Sequence, residues 1–221
     1  MEISILIVAG GSGKRMGSEI PKQFLEINGL PVLMHTMKKF AAFNDTANMV
    51  IVLPSAQFGQ WEKLCRKHNF EIPHKIAAGG RTRFHSVRNG LALMNGKGLV
   101  AVHDAVRPLV SDAVIARCFN VAVKKGSAVP CIPVTESIRE VSGAFSRPVD
   151  RSVFRIVQTP QVFRLDRMKQ AYTQLYRPGF TDDATVMEYY GEPVNMVEGN
   201  TENIKITTPG DLKIAEILLS I

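Results

Sequence analysis

The residues with the most obvious chemistry lie at the start of the chain. Gly10-Gly11-Ser12-Gly13-Lys14-Arg15-Met16-Gly17 follows directly on the apolar run Ile3 to Val8, and Pro21-Lys22-Gln23 comes next. Four of these eight loop residues are glycine. A strand, a glycine turn and then a cationic stretch bring backbone N–H groups close to phosphates. Glycine suits the approach because a Cβ would block it or forbid the φ > 0 turns. Arg15 and Lys22 add side-chain charge to the backbone donors. A bare β-to-α turn rarely needs so many glycines beside two cations, so the loop points to a polyphosphate.

Two familiar labels fail on it. A P-loop requires Ser or Thr after its Gly-Lys, and Lys14 is followed by Arg15. A dinucleotide fingerprint begun at Gly11 fails at Met16, and one begun at Gly10 fails at Ser12. Two further polar groups punctuate the chain: Gly79-Gly80-Arg81, and His103-Asp104-Ala105-Val106-Arg107-Pro108. His35, His68, His74, His85 and His103 form no HExxH and no recognisable Ser/His/Asp set. What the chain does supply is cations suited to holding and neutralising phosphates.

The elements that must hold these groups follow from periodicity. Pro31 to Phe43 has helical spacing, Met49 to Leu53 is a β-branched strand closed by Pro54, and Ser55 can cap a helix carrying Phe58, Trp61, Leu64 and Cys65. Lys75 to Ala78, Leu99 to Val102 and Ala128 to Val134 read as strands. Thr82 to Met94 and a Ser111-capped segment to about Lys125 read as helices. Strict β/α alternation predicts a doubly wound, mostly parallel sheet with helices on both faces, whose ligands sit beyond the carboxyl ends of the strands. The glycine loop, Gly79-Gly80-Arg81 and His103-Asp104 with Arg107 all fall at such ends.

From Thr135 the pattern changes. Glu136 to Val141 alternates, Ser142-Gly143 offers a turn, and a return run passes through Val149, Arg151, Val153 and Arg155. This protruding two-stranded β-arm, about 135–158, is only marginally stable alone, so a twofold partner is the economical cover. The α/β pattern then resumes: a helix from Asp166 to Leu175, a helix capped by Thr181 and Asp182 through Tyr189, strands at Pro193 to Val197 and Ile204-Lys205-Ile206, and a capping box at Thr208-Pro209-Gly210-Asp211.

Composition narrows the classes. At 221 residues the chain suits one sizeable domain. Net charge is +7 with no dense Lys/Arg tract, and there is one tryptophan, so a focused small-anion site fits better than a nucleic-acid face. Cys65, Cys118 and Cys131 are widely spaced with no CxxC, as for reduced structural thiols of a cytoplasmic protein. The first apolar run follows acidic Glu2 and reads as a strand, not a signal peptide, and no stretch is long enough to span a bilayer.

Taken in order, the glycine loop with Arg15, Pro21-Lys22-Gln23, His103 to Pro108, Val149-Asp150-Arg151, Gln158-Thr159-Pro160-Gln161, Thr181-Asp182-Asp183-Ala184 and Asn203-Ile204-Lys205-Ile206-Thr207 resemble the 2-C-methyl-D-erythritol 4-phosphate cytidylyltransferases of the non-mevalonate isoprenoid pathway. Any one of these motifs is weak, whereas the ordered set is specific and covers the chain. The resemblance implies a Rossmann-like nucleotidyltransferase fold. It also implies a reaction in which CTP and methylerythritol phosphate give CDP-methylerythritol and pyrophosphate, with Mg²⁺ held largely by phosphates and water.

The resemblance also implies roles. Arg15 and Lys22 match the pair that neutralises the α-phosphate, and Gly11, Ser12 and Gly13 the donors to the β- and γ-phosphates. Ala9, Gly10, Gly79, Gly80 and Ser86 match the base pocket. Asp104 matches the acidic residue near ribose and metal, though alone it would read equally as a turn cap. Lys205 matches a phosphate-side lysine. Ala105, Arg107, Ser137, Arg151, Thr159 and Thr181 match the acceptor pocket, with Arg151 and Thr159 on or just beyond the arm of a homodimer. Glu136-Ser137 stands where the family often has Asp-Thr, which keeps the hydroxyl, and Arg81 receives no role. The rival acceptor is ribitol 5-phosphate; Val149-Asp150-Arg151 favours methylerythritol phosphate. A basic nucleic-acid-binding protein and a nucleotide-binding module without turnover are the rivals from other classes.

Overall fold

The structure, a computed structural model, describes residues 1–9 and 20–220. The glycine loop, with Gly10, Gly11, Ser12, Gly13 and Arg15, lies outside the described residues. The strands are β1 (Ile3–Val8), β2 (Glu26–Ile27), β3 (Leu30–Pro31), β4 (Asn48–Leu53), β5 (Lys75–Ala78), β6 (Leu99–Asp104), β7 (Ser127–Pro133), β8 (Arg139–Ser142), β9 (Phe145–Pro148), β10 (Arg155–Val157), β11 (Gln161–Arg164) and β12 (Met196–Glu198). The helices are α1 (Val32–Phe43), α2 (Phe58–Lys67), α3 (Arg83–Ala92), α4 (Asp112–Lys125), α5 (Leu165–Ala171), α6 (Asp183–Tyr189) and α7 (Pro209–Leu218).

β1 runs parallel to β4 on one side and to β6 on the other, and β4 runs parallel to β5. β11 is inserted antiparallel between β6 and β7, β10 is antiparallel to β7, and β12 is parallel to it. The sheet is therefore mixed but mostly parallel. Alternation splits its side chains between two layers. Ile5, Ile7, Ile51 and Leu53 pack with α1, α2 and α4; Leu6, Val8, Val50 and Val52 pack with α3, α5 and α6. Continuous apolar runs in the strands follow from this burial on both faces. A third, smaller cluster seats α7 through Ala215 against Ile27, Val32, Val106 and Ile206.

Local chemistry accounts for the helix starts. Thr82 and Ser111 accept the N–H groups of His85 and Val114, and Thr208 and Asp211 form the expected capping box with Pro209 in the first turn. Gly126 closes α4 at φ +86°, a left-handed cap that costs glycine little.

Four expectations are corrected. Ser55 opens a 3-10 turn, Ser55–Gln57, with no side-chain cap, and only Trp61 of α2 is fully buried. The Asp166 helix starts at Leu165 and stops at Ala171, because the Leu175 side chain is 88% exposed and has no apolar face to join. The Pro193 strand is confined to Met196–Glu198. Ile204-Lys205-Ile206 is not a strand: Ile206 bonds through its N–H to the Val106 carbonyl, and the segment crosses the end of β6 instead of pairing along it.

The arm is present. Among the described residues β8 and β9 pair only with each other, in register from Arg139–Pro148 to Ser142–Phe145. Every residue of both strands is exposed, including Val141 and Phe145. Its return leg re-enters the main sheet as β10. The three cysteines are free, and burial pushes each thiol up, Cys118 to about 12.

Candidate active site

The last residue of β6 is Asp104, set beside Val8 at the end of β1. Its carboxylate gathers three cations: Lys205 Nζ at 2.8 Å, Arg107 Nε at 3.4 Å and Arg83 Nε at 3.7 Å. Burial works against the charge, but Lys205, Arg83 and Arg107 outweigh it and hold the carboxyl well below the usual carboxylate range. Arg107 spends a second donor on the Asn203 carbonyl at 2.6 Å, and the Asn203 amide donates to the Thr159 carbonyl at 2.9 Å. The Lys205 segment is thus laced to β6 by side chains, where a strand pairing was expected.

Arg83 was not foreseen. It lies in the first turn of α3, and its guanidinium donates to Asp183 at 2.6 Å, while the Tyr172 hydroxyl donates to the same carboxylate at 2.5 Å. Burial alone would lower the guanidinium; Asp183 and Asp104 reverse that and keep it firmly charged. Gln161 completes the tie, donating to Asp182 at 2.8 Å and accepting the Ala184 N–H at 2.8 Å. The start of α6, with Thr181 and Asp182, is docked on the sheet by these bonds. In sequence, Arg83 is one cation among several, and the pairing partner lies one hundred residues away.

A cleft of about 510 Å³ opens over this cluster, lined by Arg83, Asp104, Arg107, Thr159, Thr181 and Lys205 with apolar Val129, Val157 and Met196 along one wall. Five residues assigned in advance, Asp104, Arg107, Thr159, Thr181 and Lys205, are therefore brought together. Ala105 is not in the lining: it is fully buried beneath, its N–H on the Val8 carbonyl and its carbonyl taking the Thr36 hydroxyl. Ser137 and Arg151 sit exposed on the arm, outside the lining, with the Arg151 guanidinium on the Thr135 carbonyl.

The remaining positions frame the sheet edge. Ala9 follows β1, donates to the Val52 carbonyl at 2.9 Å, and accepts from Gln23 at 3.2 Å. Lys22 opens the 3-10 turn Lys22–Phe24. Gly79 donates to the Leu53 carbonyl, and Gly80 to Ser86 Oγ at 3.0 Å, which in turn donates to the Thr82 carbonyl. A Cβ at Gly80 would lie 2.4 Å from that of His85, so the turn admits no larger residue without moving. Ser86, 2% exposed, holds this turn from inside.

For a divalent cation, no group of three His, Cys, Asp or Glu side chains comes together among the described residues. Asp104 offers one ionised carboxylate. That donor set suits Mg²⁺ only in its common phosphate-held form, with one carboxylate and the rest of the shell from substrate and water.

Parallel strands that bring the buried Asp104 carboxylate and its three cations to one polar cleft, with no nucleophile–base pair beside it among the described residues, describe an α/β nucleotidyltransferase. The sequence profile of the IspD family, 2-C-methyl-D-erythritol 4-phosphate cytidylyltransferase, matches residues 3–221, and the chain belongs to that family. The enzyme of that name from Bacteroides fragilis is 56% identical over 214 residues, covering 97% of this chain and 98% of the relative. That from Bacteroides thetaiotaomicron is 51% identical over 219 residues, 99% and 100% of the two chains. Among solved structures, the cytidylyltransferase of Thermus thermophilus superposes with a TM-score of 0.78 at 35% identity over all of both chains. The Francisella tularensis protein gives 0.82 at 27%, over 99% and 100%.

Proposed function

We propose that this chain transfers the cytidylyl group of CTP to the phosphate of 2-C-methyl-D-erythritol 4-phosphate, releasing pyrophosphate. A phosphate oxygen of the acceptor forms the new bond to the α-phosphorus of CTP as the bond to the bridging oxygen of the β-phosphate breaks, and pyrophosphate departs with that electron pair. No proton has to be removed from an ionised phosphate, which agrees with a cleft rich in cations and poor in bases. The observation that carries this reading is the Asp104 cluster: three cations within 3.7 Å of one buried carboxylate, at the carboxyl end of a central strand.

We assign the residue roles from the family resemblance together with charge. Lys22 and Arg15 neutralise charge that grows on the α-phosphate, and Gly11, Ser12 and Gly13 donate backbone N–H groups to the outer phosphates. Lys205 and Arg107 face the acceptor phosphate, held in their rotamers by Asp104. Mg²⁺, when bound, supplies further neutralisation of the triphosphate, and Asp104 is the residue that would offer it an oxygen. Gly79, Gly80 and Ala9 form the edge that receives the base.

The arm supports a homodimer. Val141, Phe145 and Val153 are 70%, 82% and 75% exposed, more apolar surface than a lone hairpin carries comfortably in water. Ser137 and Arg151, outside their own cleft, would complete that of a twofold partner. No helix among the described residues is long and apolar enough to cross a membrane, and we place the enzyme in the cytoplasm with its small charged substrates.

The test is pyrophosphate release with CTP and Mg²⁺, offering methylerythritol 4-phosphate and ribitol 5-phosphate in parallel. Release with the first alone is expected. Release with ribitol 5-phosphate alone would overturn the acceptor, and release with neither would overturn the nucleotide.

A further inference from the structure

We propose that Gln23 is a positioning residue for the transfer step, fixing the turn that carries Lys22 against the strand end from which the phosphate-binding loop departs. The inference rests on the reading of Lys22 as a cation at the transferred phosphate. The Gln23 side chain is 1% exposed, although it sits beside a surface-facing turn. Its amide nitrogen lies 3.2 Å from the Ala9 carbonyl oxygen and 2.6 Å from Gln57 Oε1. A backbone carbonyl can only accept, which fixes the amide orientation: both N–H groups of Gln23 are donated, one to each partner.

Each partner is itself anchored. Ala9 is held to β4 through its N–H on the Val52 carbonyl at 2.9 Å. Gln57 ends the 3-10 turn that leads into α2. The turn is closed by the Phe24 N–H on the Pro21 carbonyl at 2.7 Å, and Phe24 stacks on buried Trp61 at 6.0 Å. Gln23 is therefore a polar tie between the Lys22 turn and β1, beside the packing of Phe24 on Trp61. Group transfer is sensitive to placement at this scale, since a shift of about 1 Å in a positioned group can cost roughly 10²-fold in rate.

Gln23→Glu keeps the shape and replaces the donor by an oxygen that faces the Ala9 carbonyl. Gln57→Ala removes the second acceptor at a half-buried position. Pyrophosphate release from CTP and methylerythritol 4-phosphate is measured for the wild type, for both variants, and for each in a Lys22→Ala background, with thermal melting alongside. Expected are a fall in kcat of about tenfold or more for Gln23→Glu with KM for the acceptor within about threefold. In the Lys22→Ala background the same change should cost about twofold or less, because the group being positioned is gone. Gln57→Ala should show the same dependence on Lys22 with a smaller loss, and it carries the test if Gln23→Glu does not fold. Unchanged kcat in both variants, or an equal loss with and without Lys22, would overturn the proposal. A wild type that releases no pyrophosphate would instead overturn the functional reading beneath it.

Discussion

The hydroxyl of Thr159 and the imidazole of His103 lie 3.1 Å apart, both buried, and their bonding has one consistent direction. His103 Nε2 faces the Arg107 carbonyl at 3.0 Å, an acceptor, so this nitrogen carries the proton and Nδ1 is bare. Thr159 must then donate to Nδ1, while its oxygen accepts the Asp104 N–H at 3.1 Å. The hydroxyl has no proton left for a substrate. What Thr159 gives the cleft is the fixed end of β6, and with it the placement of Asp104 and Arg107.

Thr159→Val tests this. The substitution preserves shape and strands two buried polar groups, the Asp104 N–H and His103 Nδ1. The expected cost is roughly 1–3 kcal/mol of stability, read by urea unfolding. A wild-type unfolding midpoint would mean the relay carries no stabilisation.

The same imidazole predicts a pH dependence. Burial lowers His103 to about 4, whereas an unfolded chain protonates near the ordinary value of 6.5. Between those values the unfolded state binds the additional proton, so stability is complete above about pH 6.5 and falls as pH drops towards 4. The loss from this one group is on the order of 3 kcal/mol. Urea titrations at several pH values, compared with His103→Gln, check it: the variant should start less stable and show a flatter acid limb. Parallel limbs would assign the acid sensitivity to other groups, such as the half-buried His35, which burial also lowers.

Asp104 and its cations should separate stability from turnover. Asp104→Asn leaves Arg83, Arg107 and Lys205 facing a neutral amide, with Arg83 and Arg107 largely shielded from water. Removing one partner of a buried ionic cluster costs about 3–5 kcal/mol, so this variant should melt well below the wild type. Lys205 has a side chain 41% exposed, and Lys205→Ala should melt near normally. Its loss should appear in turnover, about 10²-fold, if it stabilises phosphate charge. A fully active Lys205→Ala would remove that lysine from the mechanism.

The doubly wound sheet was legible because β-branched runs, turn residues and the caps other than Ser55 agree along the first 134 residues, and the parallel pairing of β1, β4, β5 and β6 follows from that alternation. Thr82, Ser111 and Thr208 announced their helices through local hydrogen bonds that sequence spacing encodes. The Ile204-Lys205-Ile206 segment misled because alternation over three residues cannot tell a strand from an extended segment tied by side chains. Neither Arg83 nor the positioning role proposed for Gln23 carries a local signal of its own, although Gln23 stands in a motif the resemblance uses. Each works through a partner distant in sequence, Asp183 for the first and Ala9 and Gln57 for the second, and no local pattern records such a pairing. The ordered motifs nevertheless named Asp104, Arg107, Thr159, Thr181 and Lys205, which converge in one cleft.

The arm predicts shared active sites. Its apolar residues Val141 and Phe145 point into solvent within one chain, and Arg151, bonded to the Thr135 carbonyl, stands outside its own cleft. If two chains exchange arms, each cleft combines Lys22 from one chain with Arg151 from the other. Sedimentation should show a dimer, and Phe145→Glu should shift it towards monomer while leaving the melting of the sheet largely unchanged, since β8 and β9 pair with no other strand among the described residues. Lys22→Ala and Arg151→Ala should each be nearly inactive alone. Mixed and allowed to exchange, they form heterodimers in which one cleft carries both defects and the other neither. Recovery of up to about a quarter of wild-type activity is the expected result, because random exchange makes half the dimers mixed and each has one intact site. Activity that stays at the sum of the two residual rates, in a sample shown to have exchanged, would place Arg151 in its own chain's cleft or outside the reaction.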